Sequence, residues 1–181
     1  LFDICNLFDM SKTINKKLPL NHNCKISIIG LGYVGLPLAI EFAKTNVCKK
    51  TGEKLDRNIF GFDINKNRIK ELKDGYDYTL EISDYDKEYL KIIKFTEKFK
   101  DILDSDVYII TVPTPIDAQK IPNLKPLDSA CRTVAKSIMN SSKNGEHIKK
   151  IIIFESTVYP GATEEFCIPI IEEVTNLKRN V

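Results

Sequence analysis

A glycine-rich stretch, Gly30–Gly35, limits the possible folds of this chain more than any other feature of its sequence. It follows an apolar, β-branched run at Lys25–Ile29 and leads into an amphipathic segment at Leu36–Ala43, an order that predicts a strand, a tight turn and a helix. A G-x-G-x-x-G motif placed between a strand and a helix is typical of folds that bind a dinucleotide. A glycine-rich turn that binds nothing is the alternative.

Each glycine of this motif has a separate physical task. Gly30 permits the sharp turn out of the strand, Gly32 lets a pyrophosphate approach the backbone, and Gly35 lets the helix pack close to the strand. The first amides of the helix then face the phosphates, and the helix dipole favours their negative charge. The predicted phosphate-binding turn consists of Gly30, Leu31, Gly32, Tyr33, Val34 and Gly35.

Predicted strands and helices alternate along the rest of the chain. The strands are Lys25–Ile29, Asn58–Phe62, Ile92–Phe95, Val107–Thr111 and Lys150–Glu155. The helices are Val34–Lys44, Asn65–Leu72, Ser83–Leu90, Thr96–Leu103, Leu127–Met139 and Ala162–Asn176. This alternation predicts an α/β fold with a doubly wound, mostly parallel sheet of the Rossmann type. We expect it to occupy residues 24–181, after an N-terminal extension at residues 1–23.

The overall composition narrows the class of protein. With 181 residues, 43% of them hydrophobic and 29% charged, the chain has the size and balance of one globular domain. The formal net charge of +2, with lysines and acids interspersed, predicts neither a nucleic-acid nor a membrane surface. No apolar run approaches the ~20 residues that span a bilayer, and no signal peptide is recognisable.

The five cysteines are scattered along the chain and include no C-x-x-C pair, so they predict neither a disulfide framework nor a metal site. We expect reduced thiols in a cytoplasmic protein. Cys131 and Cys167 fall within predicted helices. A free helical cysteine usually behaves as a small apolar residue, so we do not expect either to be a nucleophile.

A carboxylate, Asp63, follows the second predicted strand, where a dinucleotide-binding fold holds the adenosine ribose. The gap from the glycine motif exceeds the usual ~20 residues, and a polar surface insertion at Val47–Asn58 accounts for the excess. Asp63 would accept hydrogen bonds from the ribose hydroxyls and repel a 2′-phosphate, which favours NAD over NADP. Arg68 could receive such a phosphate or could instead contact the ribose or adenine side. Asp63 could also cap the following helix.

Two loops with hydroxyl side chains follow the strands near the end of the chain. The first, Thr111–Ile116, contains two prolines that stiffen its backbone, and the second is Ser156–Gly161. Parallel strands place their carboxyl ends at one edge of a sheet, where ligands of such folds bind. The two loops are therefore candidates for ligand contacts, although the first could also be a plain proline loop.

Four motifs carry a resemblance to a known family: GLGYVGLPLA from Gly30, GFDIN from Gly61, TVPTP from Thr111 and ESTVYPG from Glu155. In this order they resemble the N-terminal domain of the UDP-glucose/GDP-mannose dehydrogenase family. The last two motifs are most similar to the branch that oxidises UDP-N-acetylhexosamines for surface polysaccharides of the Vi and O-antigen type. A UDP-glucose 6-dehydrogenase is the alternative within the family.

The resemblance implies an NAD-dependent oxidoreductase. Its family oxidises the C6 hydroxyl of a nucleotide sugar, here UDP-GlcNAc or UDP-GalNAc, to a carboxylate with two NAD, through a cysteine-bound thiohemiacetal and thioester. By motif, Gly30–Gly35 would hold the pyrophosphate, and Asp63 and Arg68 the adenosine ribose. Thr157 would support catalysis by helping to organise water and the sugar oxygens. The cofactor contacts that the resemblance implies for the two loops are Thr111, Val112, Pro113, Thr114, Ser156 and Thr157.

The family's catalytic cysteine lies in a glycine-rich motif that this chain does not contain, and neither does it contain the family's active-site lysine and asparagine. We therefore expect this chain to bind NAD and to be inactive alone. The resemblance implies that the whole enzyme takes a UDP-sugar and is a homodimer or a larger assembly. A stand-alone, non-catalytic dinucleotide-binding module is the alternative. A different Rossmann dehydrogenase, such as a 3-hydroxyacid enzyme, agrees less well with the two hydroxyl-bearing loops.

Overall fold

The computed structural model describes residues 19, 22–116, 118–119, 121–140 and 149–179. The predicted N-terminal extension at residues 1–23 lies almost wholly outside these ranges. Within them, no helix combines the length and the apolar character that crossing a bilayer requires. The same ranges contain no cluster of three or more histidine, cysteine or acidic side chains that could bind a metal ion.

The sheet consists of parallel strands, which are β1 (Lys25–Ile29), β2 (Asn58–Phe62), β3 (Lys94–Thr96), β4 (Val107–Ile110) and β5 (Ile151–Phe154). Their order across the sheet is β3-β2-β1-β4-β5. The central strand is β1, where Ile26 pairs with Ile59 on one side and with Val107 on the other. Because the strand order reverses at β1, the predicted doubly wound parallel sheet is confirmed.

The α-helices of the described residues are α1 (Gly35–Lys44), α2 (Lys66–Lys73), α3 (Lys125–Asn140) and α4 (Ile168–Thr175). Two of the predicted helices, at 83–90 and 96–103, are instead 3-10 helices at Asp84–Lys91 and Phe99–Ile102. Short connections commonly adopt this tighter geometry, which hydrophobic periodicity does not distinguish from an α-helix. The last predicted helix begins with a π-helical turn, Thr163–Cys167, before α4.

Side chains of the central strands alternate between two apolar layers. Ile26 and Ile28 of β1 and Ile109 of β4 pack with α1 and α2 on one face of the sheet. Ile29 of β1 and Ile110 of β4 pack with α3 and α4 on the other. Both faces are therefore covered, which explains why these strands read as continuous apolar runs. The carboxyl-terminal edge of the sheet is left for the loops.

Candidate functional site

A cavity of about 280 Å³ lies at the carboxyl ends of β1 and β4, where the strand order reverses. This is the place at which doubly wound sheets bind their ligands. The lining consists of Gly32–Val34, Tyr78, Thr79, Glu81, Thr111–Thr114 and Glu155–Thr157. The structure therefore brings together the glycine turn and the two hydroxyl-bearing loops that the sequence singled out, and adds a third segment, between α2 and the first 3-10 helix.

The three glycines of the turn each meet a different steric condition. Gly30 has φ +98°, a left-handed conformation that favours glycine. A Cβ at Gly35 would overlap the carbonyl oxygen of Gly30 and lie 2.5 Å from Thr111 Oγ1, so α1 can pack here only through a glycine. At Gly32, by contrast, a Cβ would meet no heavy atom within 4 Å and would lie beside the cavity.

Three backbone amides of the turn are free to bind a ligand. Within the described part of the chain, Gly32, Tyr33 and Val34 donate their N–H groups to no protein acceptor. All three residues line the cavity. Consecutive free amides before the first turn of a helix form an anion-binding site. The open position at Gly32 and these donors fit the pyrophosphate of a dinucleotide.

Leu31 is buried, and both of its backbone polar groups are bound by side chains of the segment after β2. Its N–H donates to Asp63 Oδ2 at 2.8 Å, and its carbonyl oxygen accepts from Arg68 Nε at 2.9 Å. The other oxygen of Asp63 accepts from the Asn65 amide at 2.8 Å. Asp63 is therefore placed at the glycine turn, and its carboxylate still has acceptor capacity for ribose hydroxyls.

The alternative role of Asp63, as the cap of the following helix, is wrong. Asn65 is the N-cap of α2, and its side chain accepts hydrogen bonds from the amides of Asn67 and Arg68. Both residues are of a type that caps helices. They stand two positions apart, so the sequence alone does not decide between them.

Arg68 makes contacts within the protein that the sequence did not predict. Its side chain is buried, and besides Leu31 it reaches Glu71 Oε1 at 2.6 Å, Asp77 Oδ1 at 2.8 Å and Thr79 Oγ1 at 3.2 Å. The guanidinium also lies 4.9 Å from the centre of the Tyr78 ring. All of its nitrogens are thus engaged with protein groups, and Arg68 does not line the cavity.

The loop Asp77–Ile82, which includes cavity-lining residues, was not singled out from the sequence. It is organised by Asp77, whose buried carboxylate accepts from the amides of Thr79, Glu81 and Ile82. Burial alone would raise the pKa of Asp77, but hydrogen bonds from Thr79 and Arg68 outweigh it and lower the pKa. An Asp-x-Thr pair that follows an i,i+3 Arg–Glu pair is the signal that could have found this loop.

Three of the predicted hydroxyls bind backbone carbonyls of neighbouring segments. Thr111 Oγ1 donates to Gly30 O at 2.7 Å, and Ser156 Oγ donates to Val112 O at 2.7 Å. Thr114 Oγ1 donates to Thr157 O. These side chains therefore join the loops to one another around the cavity. Their hydrogens are already committed, so any contact that they make with a ligand is as acceptors.

Thr157 differs from these three residues. It lines the cavity, and its hydroxyl has no hydrogen-bond partner among the residues that the structure describes. A hydroxyl group in this state can both donate to and accept from a ligand. Thr157 is therefore the hydroxyl of this group best suited to contact a reacting group.

The two helical cysteines lie away from the cavity lining. Both Cys131, in α3, and Cys167, in the π-helical turn, are buried in the apolar layer against α3 and α4. The hydrogen bond with the Cys167 thiol, together with burial, raises the pKa of Cys131, which disfavours its thiolate.

The sequence also matches a known family of NAD-binding domains. Residues 24–181 match the family model described as UDP-glucose/GDP-mannose dehydrogenase family, NAD binding domain. UDP-N-acetyl-D-glucosamine 6-dehydrogenase of Pseudomonas aeruginosa is 44% identical over 156 residues, which are 86% of this chain and 32% of that protein. The relative of the same name from Salmonella typhi is also 44% identical over 156 residues.

Solved structures of nucleotide-sugar dehydrogenases also resemble this chain. UDP-D-ManNAc dehydrogenase of Pyrococcus horikoshii has a TM-score of 0.68 and 32% identity, over 87% of this chain and 34% of that one. GDP-mannose dehydrogenase of Pseudomonas aeruginosa, solved as a ternary complex, has a TM-score of 0.69 and 26% identity, over 84% of this chain and 33% of that one. The chain thus spans about a third of the length of its relatives. It belongs to the UDP-glucose/GDP-mannose dehydrogenase family and comprises that family's NAD-binding domain.

Proposed function

We propose that the whole protein is an NAD-dependent UDP-N-acetylhexosamine 6-dehydrogenase, which oxidises the C6 hydroxyl of UDP-GlcNAc or UDP-GalNAc to a carboxylate for surface polysaccharide synthesis. The observation that carries the substrate class is the 44% identity to UDP-N-acetyl-D-glucosamine 6-dehydrogenases across nearly the whole described domain. In this proposal the present chain binds the cofactor, and the sugar is held and oxidised with residues of the remaining two thirds of the protein.

The residues around the cavity have distinct roles in the proposal. The free amides of Gly32–Val34 bind the pyrophosphate, and Asp63 accepts hydrogen bonds from the adenosine ribose hydroxyls. The cofactor lies along a wall formed by Val112, Pro113 and the three residues whose hydroxyls donate to backbone carbonyls. When bound, NAD supplies the acceptor for the hydride that leaves C6.

Thr157 has the supporting catalytic role. Its unpartnered hydroxyl donates to or accepts from a sugar oxygen or a water beside the reacting carbon. The hydrogen bond from Thr114 to the Thr157 carbonyl holds the residue in place while leaving its side chain free. Thr157 thus orients groups for a reaction whose nucleophile lies elsewhere in the whole protein.

Selectivity for NAD over NADP follows from two features of this site. Asp63 places a negative charge where the 2′-phosphate of NADP would lie. Arg68, the arginine that could receive such a phosphate, is already paired with Glu71 and Asp77. We therefore expect NADP to bind at least about ten-fold more weakly than NAD, which corresponds to roughly 1.4 kcal/mol.

We further propose a homodimeric or larger cytoplasmic enzyme with no nucleic-acid partner. The small net charge of +2 offers no basic surface for nucleic acid. Within the part of the chain that the structure describes, Cys48, Cys131 and Cys167 form no disulfide, as is usual in a reducing compartment.

Two measurements test the proposed function. Isothermal titration of this chain with NAD and NADP should give a saturable NAD signal and a weaker NADP signal; no NAD binding at millimolar concentration contradicts an intact site. The whole protein, assayed by NADH absorbance, should oxidise UDP-GlcNAc or UDP-GalNAc in preference to UDP-glucose, with two NADH formed per sugar. A preference for UDP-glucose would place it in the alternative branch, and turnover by this chain alone would refute the assigned division of roles.

A further inference from the structure

Arg68 joins two segments of the cavity wall that are distant in sequence. Its Nε donates to the carbonyl oxygen of Leu31 in the glycine turn, and its terminal nitrogens bind Asp77 and Thr79 in the loop on the other side. Glu71, on the same helix as Arg68, accepts from this guanidinium and from the Tyr78 amide. One side chain therefore contacts both the turn and the loop.

Arg68 and Asp77 are so deeply buried that their hydrogen bonds must be satisfied within the protein. The side chains of Arg68 and Asp77 are 4% and 1% exposed. Charges so buried are tolerated only when paired and fully hydrogen-bonded. A guanidinium presents five donors in a fixed, planar fork, so Arg68 can bind four separate acceptors at once, one more than the three donors of a lysine ammonium allow. Arg68 thus sets the distance between the glycine turn and the Asp77–Ile82 loop.

The effect on the glycine turn is transmitted through the Leu31 peptide group. The carbonyl oxygen of Leu31 is bound by Arg68, and the N–H of Leu31, in the preceding peptide group, is bound by Asp63, so rotation of the peptide between Leu31 and Gly32 would break the bond to Arg68. The N–H of Gly32 belongs to that same peptide and is the first of the three free amides. The direction of this donor is therefore set by Arg68, although Arg68 itself does not line the cavity.

We propose that Arg68 is a positioning residue for the cofactor, which holds the Leu31–Gly32 peptide so that its N–H points at the pyrophosphate, and that the seated Asp77–Ile82 loop is required for this. The proposal rests on the proposed function only in that the ligand is a dinucleotide. It assigns Arg68 no direct contact with the ribose, in contrast to the role implied by the family motif.

The test compares Arg68→Lys with the matched substitution Arg132→Lys. Arg132 lies on α3, outside the cavity, where it pairs with Asp128 and Glu173. Calorimetric titrations with NAD are made on this chain at a temperature where circular dichroism shows each variant to be fully folded. Arg68→Lys should weaken NAD binding about ten-fold, because a charge-assisted hydrogen bond to the turn is lost, and Arg132→Lys should leave it unchanged.

A second ligand distinguishes positioning from general loss of structure. The loss caused by Arg68→Lys should appear with NAD and with ADP-ribose, which carry a pyrophosphate, and not with adenosine, titrated by NMR. The amide resonance of Gly32 should also move in the variant. Equal losses for adenosine and NAD, or wild-type NAD affinity in folded Arg68→Lys, would overturn the proposal. Absence of NAD binding by the wild-type chain would instead contradict the proposed function.

A milder variant covers the case in which Arg68→Lys does not fold. Asp77→Asn keeps the shape of the side chain but removes one of the two charges that pair with the guanidinium. It should weaken NAD and ADP-ribose binding in the same direction, by less than Arg68→Lys, and leave adenosine binding unchanged. NAD affinity equal to that of the wild type in this folded variant would count against the requirement for a seated loop.

Discussion

The two sides of the cavity are built from different kinds of interaction. The charged side comprises the glycine turn and the Asp77–Ile82 loop, which are held by Asp63, Arg68 and Asp77. The hydroxyl side comprises Thr111–Thr114 and Glu155–Thr157, which are held by neutral hydroxyl-to-carbonyl bonds. We therefore expect low pH and substitutions to change the free energy of unfolding differently on the two sides.

The difference shows how one site combines a firmly held backbone with an available hydroxyl group. On the charged side, Arg68 and Asp77 are buried and bind other protein groups, while the amides of Gly32–Val34 stay free for the ligand. On the hydroxyl side, each bond is worth only about 1 kcal/mol, and one hydroxyl, that of Thr157, is left over. The charged side is thus held by stronger interactions than the hydroxyl side.

The largest effect is expected where the two sides meet. In Gly35→Ala the new Cβ would overlap Gly30 O and approach Thr111 Oγ1, so the turn and α1 must separate. We expect a loss of about 3 kcal/mol in the free energy of unfolding, measured by urea denaturation. Gly32→Ala is the matched control, because its Cβ meets open space, and it should change stability little while weakening NAD binding. Equal stability losses in the two variants would contradict the packing described for Gly35.

A smaller effect, dependent on pH, is expected on the charged side. Asp77→Asn should lower the free energy of unfolding at pH 7 by about 2 kcal/mol, because hydrogen bonds to a charged group are lost. The pKa of Asp77 is lowered in the folded chain, so its contribution is present above the unfolded value and is lost as the pH falls through the folded one. The difference between wild type and Asp77→Asn should therefore shrink below about pH 4. A difference that stays constant from pH 7 to pH 3 would show that the charge contributes nothing.

The smallest effect is expected on the hydroxyl side. Ser156→Ala removes the donor to Val112 O and should reduce the free energy of unfolding by about 1 kcal/mol, with no dependence on pH between 3 and 7. Urea denaturation at the two pH values measures it. A loss larger than that of Asp77→Asn, or one that varies with pH, would remove the contrast between the two sides.

The features that were predicted from the sequence are those encoded locally. The bounds of β1 and β2 are confirmed, because each is an apolar run that ends at a glycine turn or a carboxylate. The G-x-G-x-x-G spacing placed the turn correctly between β1 and α1 for the same reason. Two of the family's motifs, GLGYVGLPLA from Gly30 and GFDIN from Gly61, lie in these locally encoded segments.

The contacts that were not predicted are those between distant segments. The hydrogen bond from Arg68 to Leu31 joins residues 37 positions apart, and no spacing rule connects them. The hydroxyls of Thr111, Thr114 and Ser156 were recognised as polar groups at the correct edge. Their carbonyl acceptors depend on how the loops lie side by side, since Ser156 and Val112 are 44 residues apart.

The central position of β1 has a consequence for the order in which the fold is made during synthesis. β1 is the earliest of the described strands in the chain, and its register partners include Asn58–Phe62 on one edge and Val107–Ile110 on the other. On the ribosome, β1, α1 and β2 can assemble first, while the opposite edge of β1 stays unpaired until β4 emerges. Closure of that edge joins residues about 80 positions apart, such as Ile26 and Val107, so we expect it to be a slow step in folding.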